Sequence, residues 1–296
     1  MADSMSTVSE SLPSNRTEME SRLDRLVREN RFTISVVFPL VGGILLVASR
    51  LELLPPPFAF NAFLILLGTF VMRSPLIVGT LPLFDRKALA GVSALALYAY
   101  GIEYTGVETG WPYGEFYYGV DLGPTIEGIP LGLPIFFLPL VMNSYLLCLL
   151  LLGDRAENSV VRLLSVIVTV LAMDVVLDPG AVALGFWVYP GVSPDGGFYG
   201  VPLSNYAGWV VSATVAVVTL DWAFDRRALL ARLSGCEFML DDLVSFVILW
   251  GSVNVVFGNY LPALVAVLFG LGLLRTERFD TGLFRPSWVS GNSDHD

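Results

Sequence analysis

Basic residues in this chain are confined to alternate gaps between hydrophobic runs, and that constrains the fold more than any other feature. Beyond residue 31, Lys and Arg fall almost wholly at 86–87, 155–162, 226–232 and 275–285. The gaps at 105–129 and 179–204 contain neither; they hold Trp, Tyr, Gly, Pro and carboxylates instead. Only 15% of the 296 residues are charged, against about 25% in ordinary soluble domains. Eight apolar runs, at 32–49, 58–80, 87–105, 130–152, 160–178, 205–224, 243–257 and 260–274, approach the roughly 20 residues that cross a bilayer. The last two are short and could form one broken or re-entrant unit around Gly258-Asn259. The expected fold is all-α: a polytopic integral membrane helix bundle with about eight transmembrane helices and two long aromatic-rich outer loops.

The positive-inside rule orients such a chain. It places both termini in the cytoplasm of a multi-pass cell-membrane protein, with Arg50 and Arg73 as exceptions. Three segments follow: a polar N-terminal stretch at 1–31, a transmembrane helical domain at 32–274 and a C-terminal tail at 275–296. Residues 1–31 are too charged to resemble a signal peptide. Within them, Thr17 and Glu20 have capping-box spacing ahead of an apolar stripe at Met19, Leu23, Leu26 and Val27, which predicts a short surface helix.

Several functions are excluded by what is missing. The formal net charge is −10, so no basic surface is available for nucleic acid. Lys87 is the sole lysine among 17 basic residues, which together with the acidic excess resembles proteins of salt-loving archaea. It lies at the edge of a span, where it cannot carry a retinal Schiff base. The sole histidine is His295, so histidine-based di-iron or zinc sites and Ser–His–Asp hydrolysis are excluded. No Gly-x-Gly-x-x-Gly turn follows a strand. Cys148 and Cys236 do not form a disulfide framework. Carboxylates, amides and aromatic rings remain as the available chemistry, with no metal and no cofactor expected.

Asp174 and Asp178 are four residues apart near one end of the fifth apolar run and share a helix face. Two carboxyls in a low-dielectric setting resist double ionisation, and a retained proton is what a general acid needs. Asp178, ahead of Pro179-Gly180, could equally end the helix at the water boundary. Glu103 lies at the end of the third run and offers a second acid or base. Asp121 and Glu127 flank Gly123-Pro124 in the first aromatic loop, while Glu108, Glu115 and Asp195 read as solvated. Trp111, Tyr117, Trp187, Tyr189 and Tyr199 suit a lining for an apolar ligand, with ring faces able to stabilise a cation; an interfacial aromatic belt is the alternative. Asn143, Asn205, Asn254 and Asn259 can position water or join helices. Asp221-x-x-x-Asp225 with Asp174-x-x-x-Asp178 invites comparison with prenyltransferase metal motifs. The topology puts the two pairs on opposite faces, so Asp221 and Asp225 are expected to cap the sixth span.

The segments GIEYTGVETGWPYGEFYY (101–118), GVDLGPTIEGIPLGLP (119–134), DVVLDPGAVALGFWVY (174–189) and FYGVPLSNYAGW (198–209) resemble the membrane-embedded carotenoid hydratase family. The acidic, arginine-rich chain points to its haloarchaeal branch, which acts in bacterioruberin synthesis. The resemblance implies a lyase whose partners are the lipid bilayer and a C50 carotenoid substrate, bisanhydrobacterioruberin, together with other carotenoid-pathway enzymes. Its terminal alkenes would gain water to give tertiary alcohols, which needs an acid, cation stabilisation and a placed water, but no redox cofactor. On that basis Asp174 or Asp178 protonates the alkene and Trp187 with nearby tyrosines stabilises the cation. Glu103, with Asn205, orients and deprotonates the water. An isomerase or cyclase using the same protonation, or a transporter or lipid-binding protein whose buried acids relay protons, are the competing expectations.

Overall fold

All eight apolar runs are helical in a computed structural model that describes residues 15–193 and 196–274. Asp195, His295 and the tail at 275–296 lie outside those residues, as does most of the stretch before α1. The helices are α1 (Arg16–Glu29), α2 (Phe38–Arg50, entered through a π-turn at Thr33–Val37), α3 (Ala62–Thr80), α4 (Arg86–Thr109) and α5 (Leu133–Leu152). They continue as α6 (Ser159–Leu184), α7 (Leu203–Ala223), α8 (Arg226–Gly235), α9 (Asp241–Val256) and α10 (Tyr260–Leu274). Five of these segments, 33–50, 62–83, 133–157, 159–184 and 203–223, are long and apolar enough to cross a membrane. The chain is therefore an all-α membrane bundle. α9 and α10, with 16 and 15 residues, are each only about 22–24 Å long. They pack side by side across a break where Gly258 adopts φ +77°.

The bundle has two chemically different ends. At the charged end, α1 is anchored by Arg16, which donates to the carbonyls of Leu81 and Phe84. Asn15, rather than Thr17, caps α1, accepting from the Glu18 amide; Thr17 lies inside the helix. Arg31 clasps Asp241 through two hydrogen bonds of 2.6 and 3.0 Å. Asp221 accepts from Arg162 and from the Tyr145 hydroxyl, while Asp225 caps α8 by accepting from the Ala228 amide. Asp221 therefore holds a buried arginine and does not cap α7, as the sequence reading expected; only Asp225 caps a helix, and that helix is α8. The two arginines that break the charge pattern are also paired. Arg73, within α3, meets Asp242 at 2.5 Å, and Asn143 donates to the other oxygen of the same carboxylate. Arg50 donates to the carbonyl of Ala183 near the end of α6.

The opposite end is formed by the two aromatic loops. Tyr117–Tyr118 and Trp187–Val188 pair as a short antiparallel ladder, with Tyr118 opposite Trp187. Residues 69 and 71 apart in sequence are thereby held side by side. Gly110 and Gly185, at φ +74° and +82°, close α4 and α6 in the left-handed conformation that frees each chain to turn into its loop. Tyr113, Phe116, Tyr189, Ile102 and Val201 form a small core beneath the ladder.

α6 runs six residues past Asp178, so Asp178 does not end the helix at the water boundary. Pro179 removes one helical donor. Around it Asn254 of α9 donates to the carbonyl of Val176 at 2.7 Å, and Asn259, in the break after α9, donates to that of Pro179 at 3.1 Å. The extra turn and a half sinks Asp174 and Asp178 into the bundle.

Candidate active site

Four helical and loop segments converge on the two aspartates. The i, i+4 spacing puts Asp174 and Asp178 on the face of α6 that looks toward α7. Both carboxyls are buried in the bundle, where two ionised groups side by side are disfavoured. Asn205, in the first turn of α7, bridges the pair. Its Nδ2 donates to Asp174 Oδ2 at 3.0 Å and also to Asp178 Oδ2. The same amide's oxygen accepts from the Tyr189 hydroxyl at 3.3 Å, which fixes which way the amide faces. Asp174 is wholly buried and its Oδ1 has no hydrogen-bond partner among the described residues. Asp178 instead forms part of a cavity wall.

That cavity measures about 890 Å³, counting its open mouth. Its lining is largely aromatic and aliphatic, and Asp178 and Glu103 are its carboxyl groups. Glu103 projects from α4 and accepts a 2.6 Å hydrogen bond from the Tyr118 hydroxyl. Burial, reinforced by Glu103, pushes the Tyr118 phenol well above its ordinary pKa. Burial likewise raises Tyr189, with Asp178 adding to the effect. Both phenols therefore remain hydrogen-bond donors. Trp187 faces the cavity, and neither its Nε1 nor the buried Tyr206 hydroxyl has a hydrogen-bond partner among the described residues. On the far wall Phe137 and Trp209 stack at 5.6 Å with an 18° interplanar angle. Tyr113 packs on Trp209 and hydrogen-bonds Ser212. Gly208 makes room for that packing, since a Cβ there would lie 2.4 Å from the Tyr113 ring.

Of the residues singled out from the sequence, Asp174, Asp178, Glu103, Asn205, Trp187 and Tyr189 are gathered at this cavity or directly behind it. Trp111 and Tyr117 are instead exposed, at 58% and 52%. Asp121 is exposed and accepts from the Gly123 amide in a local turn. Glu127, at φ +50°, forms the tip of a small hairpin with Gly128. Tyr199 reaches toward α10, where its hydroxyl accepts from the Leu261 amide at 3.4 Å. Glu108 and Glu115 are exposed. Asn143, Asn254 and Asn259 join helices and do not face the cavity. Sequence reasoning missed Phe136, Phe137, Trp209 and Trp250 in the wall. Trp209 closes one of the recognisable segments; the other three sit in uniformly apolar runs.

Residues 60–273 match the model of a family described as carotenoid biosynthesis protein. A protein of Haloarcula japonica named bisanhydrobacterioruberin hydratase is 59% identical over 273 residues, covering 92% of each chain. No solved structure matches.

Proposed function

The chain belongs to the carotenoid biosynthesis protein family, and from that membership we propose that it is a hydratase. It adds water to the terminal C=C bonds of bisanhydrobacterioruberin and so makes the tertiary hydroxyls of bacterioruberin. The relative's name and its near full-length coverage support the substrate and the reaction. One structural observation carries the chemistry: a buried carboxyl pair bridged by Asn205 opens, through Asp178 alone, onto an aromatic-walled cavity whose other carboxyl is Glu103.

Asp178 transfers its proton to the less substituted alkene carbon, leaving the positive charge on the tertiary carbon. Trp187 and Trp209, both in the cavity wall, stabilise that charge through their ring faces. Glu103, held by Tyr118, accepts a hydrogen bond from water and takes up a proton as the C–O bond forms. Asp174 does not reach the cavity; it acts on Asp178 through its own carboxyl charge and through their common donor, Asn205. The proton released to Glu103 restores the acid pair for the next turnover, so the sum is the addition of one water. Fixed donors and acceptors in a site with little water supply much of the stabilisation.

The protein resides in the cell membrane with eight crossings, including α4 and the short α9–α10 pair. Both termini are cytoplasmic and the aromatic loops lie outside. This orientation rests on the arginines gathered at the charged end. Residues 1–31 and 275–296 flank the transmembrane domain as polar cytoplasmic segments, and other enzymes of the carotenoid pathway supply the substrate. Expression in a host that accumulates bisanhydrobacterioruberin, grown with heavy-oxygen water, tests the proposal. Labelled products heavier by one and then two waters are expected; unchanged pigment beside a well-inserted protein refutes it.

A further inference from the structure

The cavity at Asp178 has a neighbour. A second cavity of about 730 Å³ lies between α2, α3 and α9 and shares three wall residues with the first: Phe136, Phe186 and Trp250. Phe186 stands between the two, packed edge-on against Trp250 at 6.3 Å and Phe60 at 6.1 Å. The second cavity is not part of the acid site, because neither aspartate of the pair, nor Asn205, nor Glu103 lines it. Its rim is formed by Leu45, Phe58 and Leu64, which are 40%, 60% and 43% exposed. In a membrane those side chains face acyl chains, so the cavity opens sideways into lipid.

We propose that this lateral cavity holds the polyene shaft of the substrate while the terminal alkene sits at Asp178. The inference rests on the hydratase reading above. An extended C50 carotenoid is at least as long as the roughly 30 Å hydrocarbon core is thick. It therefore cannot be contained in the acid-site cavity alone, and such a lipid-soluble molecule reaches the protein from within the bilayer. The shared aromatic wall is the one place where the two cavities adjoin, so the alkene end passes Phe186 while the shaft remains between α2 and α3. The occupant is rigid and apolar, in keeping with walls mainly of leucine, phenylalanine and methionine; of the polar lining residues Ser49, Asn61, Thr69 and Arg73, the serine, asparagine and arginine are engaged within the protein, and two glycines, Gly42 and Gly68, break the wall.

Those glycines supply the test. A Cβ on Gly68 would meet nothing within 4 Å, and one on Gly42 would meet only the Leu249 side chain at an ordinary 3.7 Å. Gly68→Phe and Gly42→Leu therefore fill the cavity from opposite walls. Each variant and the wild type would be given bisanhydrobacterioruberin and, separately, a short acyclic isoprenoid with the same terminal alkene. The readout is the ratio of the two initial rates, which does not depend on how much protein folds. The ratio should fall at least ~10-fold in either variant, because remote binding contacts are lost only for the long substrate. A ratio equal to the wild-type value in both variants overturns the proposal. If the wild type hydrates neither substrate, the hydratase reading fails, and polyene quenching of tryptophan fluorescence decides the cavity's role. Quenching weakened by the filling substitutions supports the shaft site. Undiminished quenching, or a lipid acyl chain that the polyene cannot displace, overturns it.

Discussion

Asp178→Asn and Asp174→Asn are predicted to differ in effect although one amide, that of Asn205, binds both carboxyls. Asparagine matches aspartate in volume and keeps an oxygen that can accept from Asn205, so neither change empties space in the bundle. Asp178 loses the only carboxyl of the pair that lines the cavity. A positioned general acid contributes about 10²- to 10⁴-fold, and at about 1.4 kcal/mol per decade that is roughly 3–5 kcal/mol of barrier. Asp174 is fully buried and acts only through its neighbour. Its replacement removes one hydrogen-bonded charge partner, about 1.5–3 kcal/mol at most, and leaves the donor in place. Initial rates of labelled-water incorporation into bisanhydrobacterioruberin, measured on purified protein and normalised to the folded fraction, separate the two. The expected order is a loss of at least ~100-fold for Asp178→Asn and nearer ~10-fold for Asp174→Asn. Near-normal turnover by Asp178→Asn, or a larger loss from Asp174→Asn, would refute the assignment of the donor.

Tyr118→Phe removes the 2.6 Å hydrogen bond to Glu103. It should slow hydration by ~10-fold or more, at about 1.5–3 kcal/mol for a bond to a charged group, with melting temperature little altered. Arg162→Met strands Asp221 at the charged end, far from the cavity. Breaking a buried pair costs about 3–5 kcal/mol, and Asp221 is a quarter exposed, so the loss should fall at the low end. Thermal unfolding should show it, while the specific activity of the protein that stays folded is retained. Burial pushes the Cys236 thiol up to about 11. Because the thiolate is the reactive form, alkylation in a Cys148→Ala background should stay slow through pH 9 and accelerate on unfolding; fast labelling at pH 8 would contradict the buried setting.

The helices were legible because bilayer-length apolar runs are scarcely compatible with anything else, and charged gaps marked their ends. The acid pair was legible too, since two aspartates at helical spacing inside an apolar run have few bland explanations. The cavity wall was harder to read. In a soluble protein the period of 3.6 separates buried from exposed faces, but here lipid and substrate are both apolar. Phe136 and Trp250 thus look no different in sequence from residues that face acyl chains. The aromatic loops misled for another reason. Tyr117 and Tyr118 are neighbours in a strand, so they point to opposite faces; composition drew attention to Tyr117, while the ladder turns Tyr118 toward Glu103. Arg73 read as an anomaly because its partner Asp242 is 169 residues away.

The bridge made by Asn205 has a consequence for biogenesis. α6 is synthesised before α7, so its two aspartates meet the translocon before the amide that will hold them exists. On the insertion scale a central aspartate costs about 2.5–3.5 kcal/mol. α6 is otherwise long and strongly apolar, and that length of apolar sequence has to carry the acids across unaided. Insertion and catalysis thus place opposite demands on one helix: it has to be greasy enough to enter alone, yet acidic enough to work once it has company.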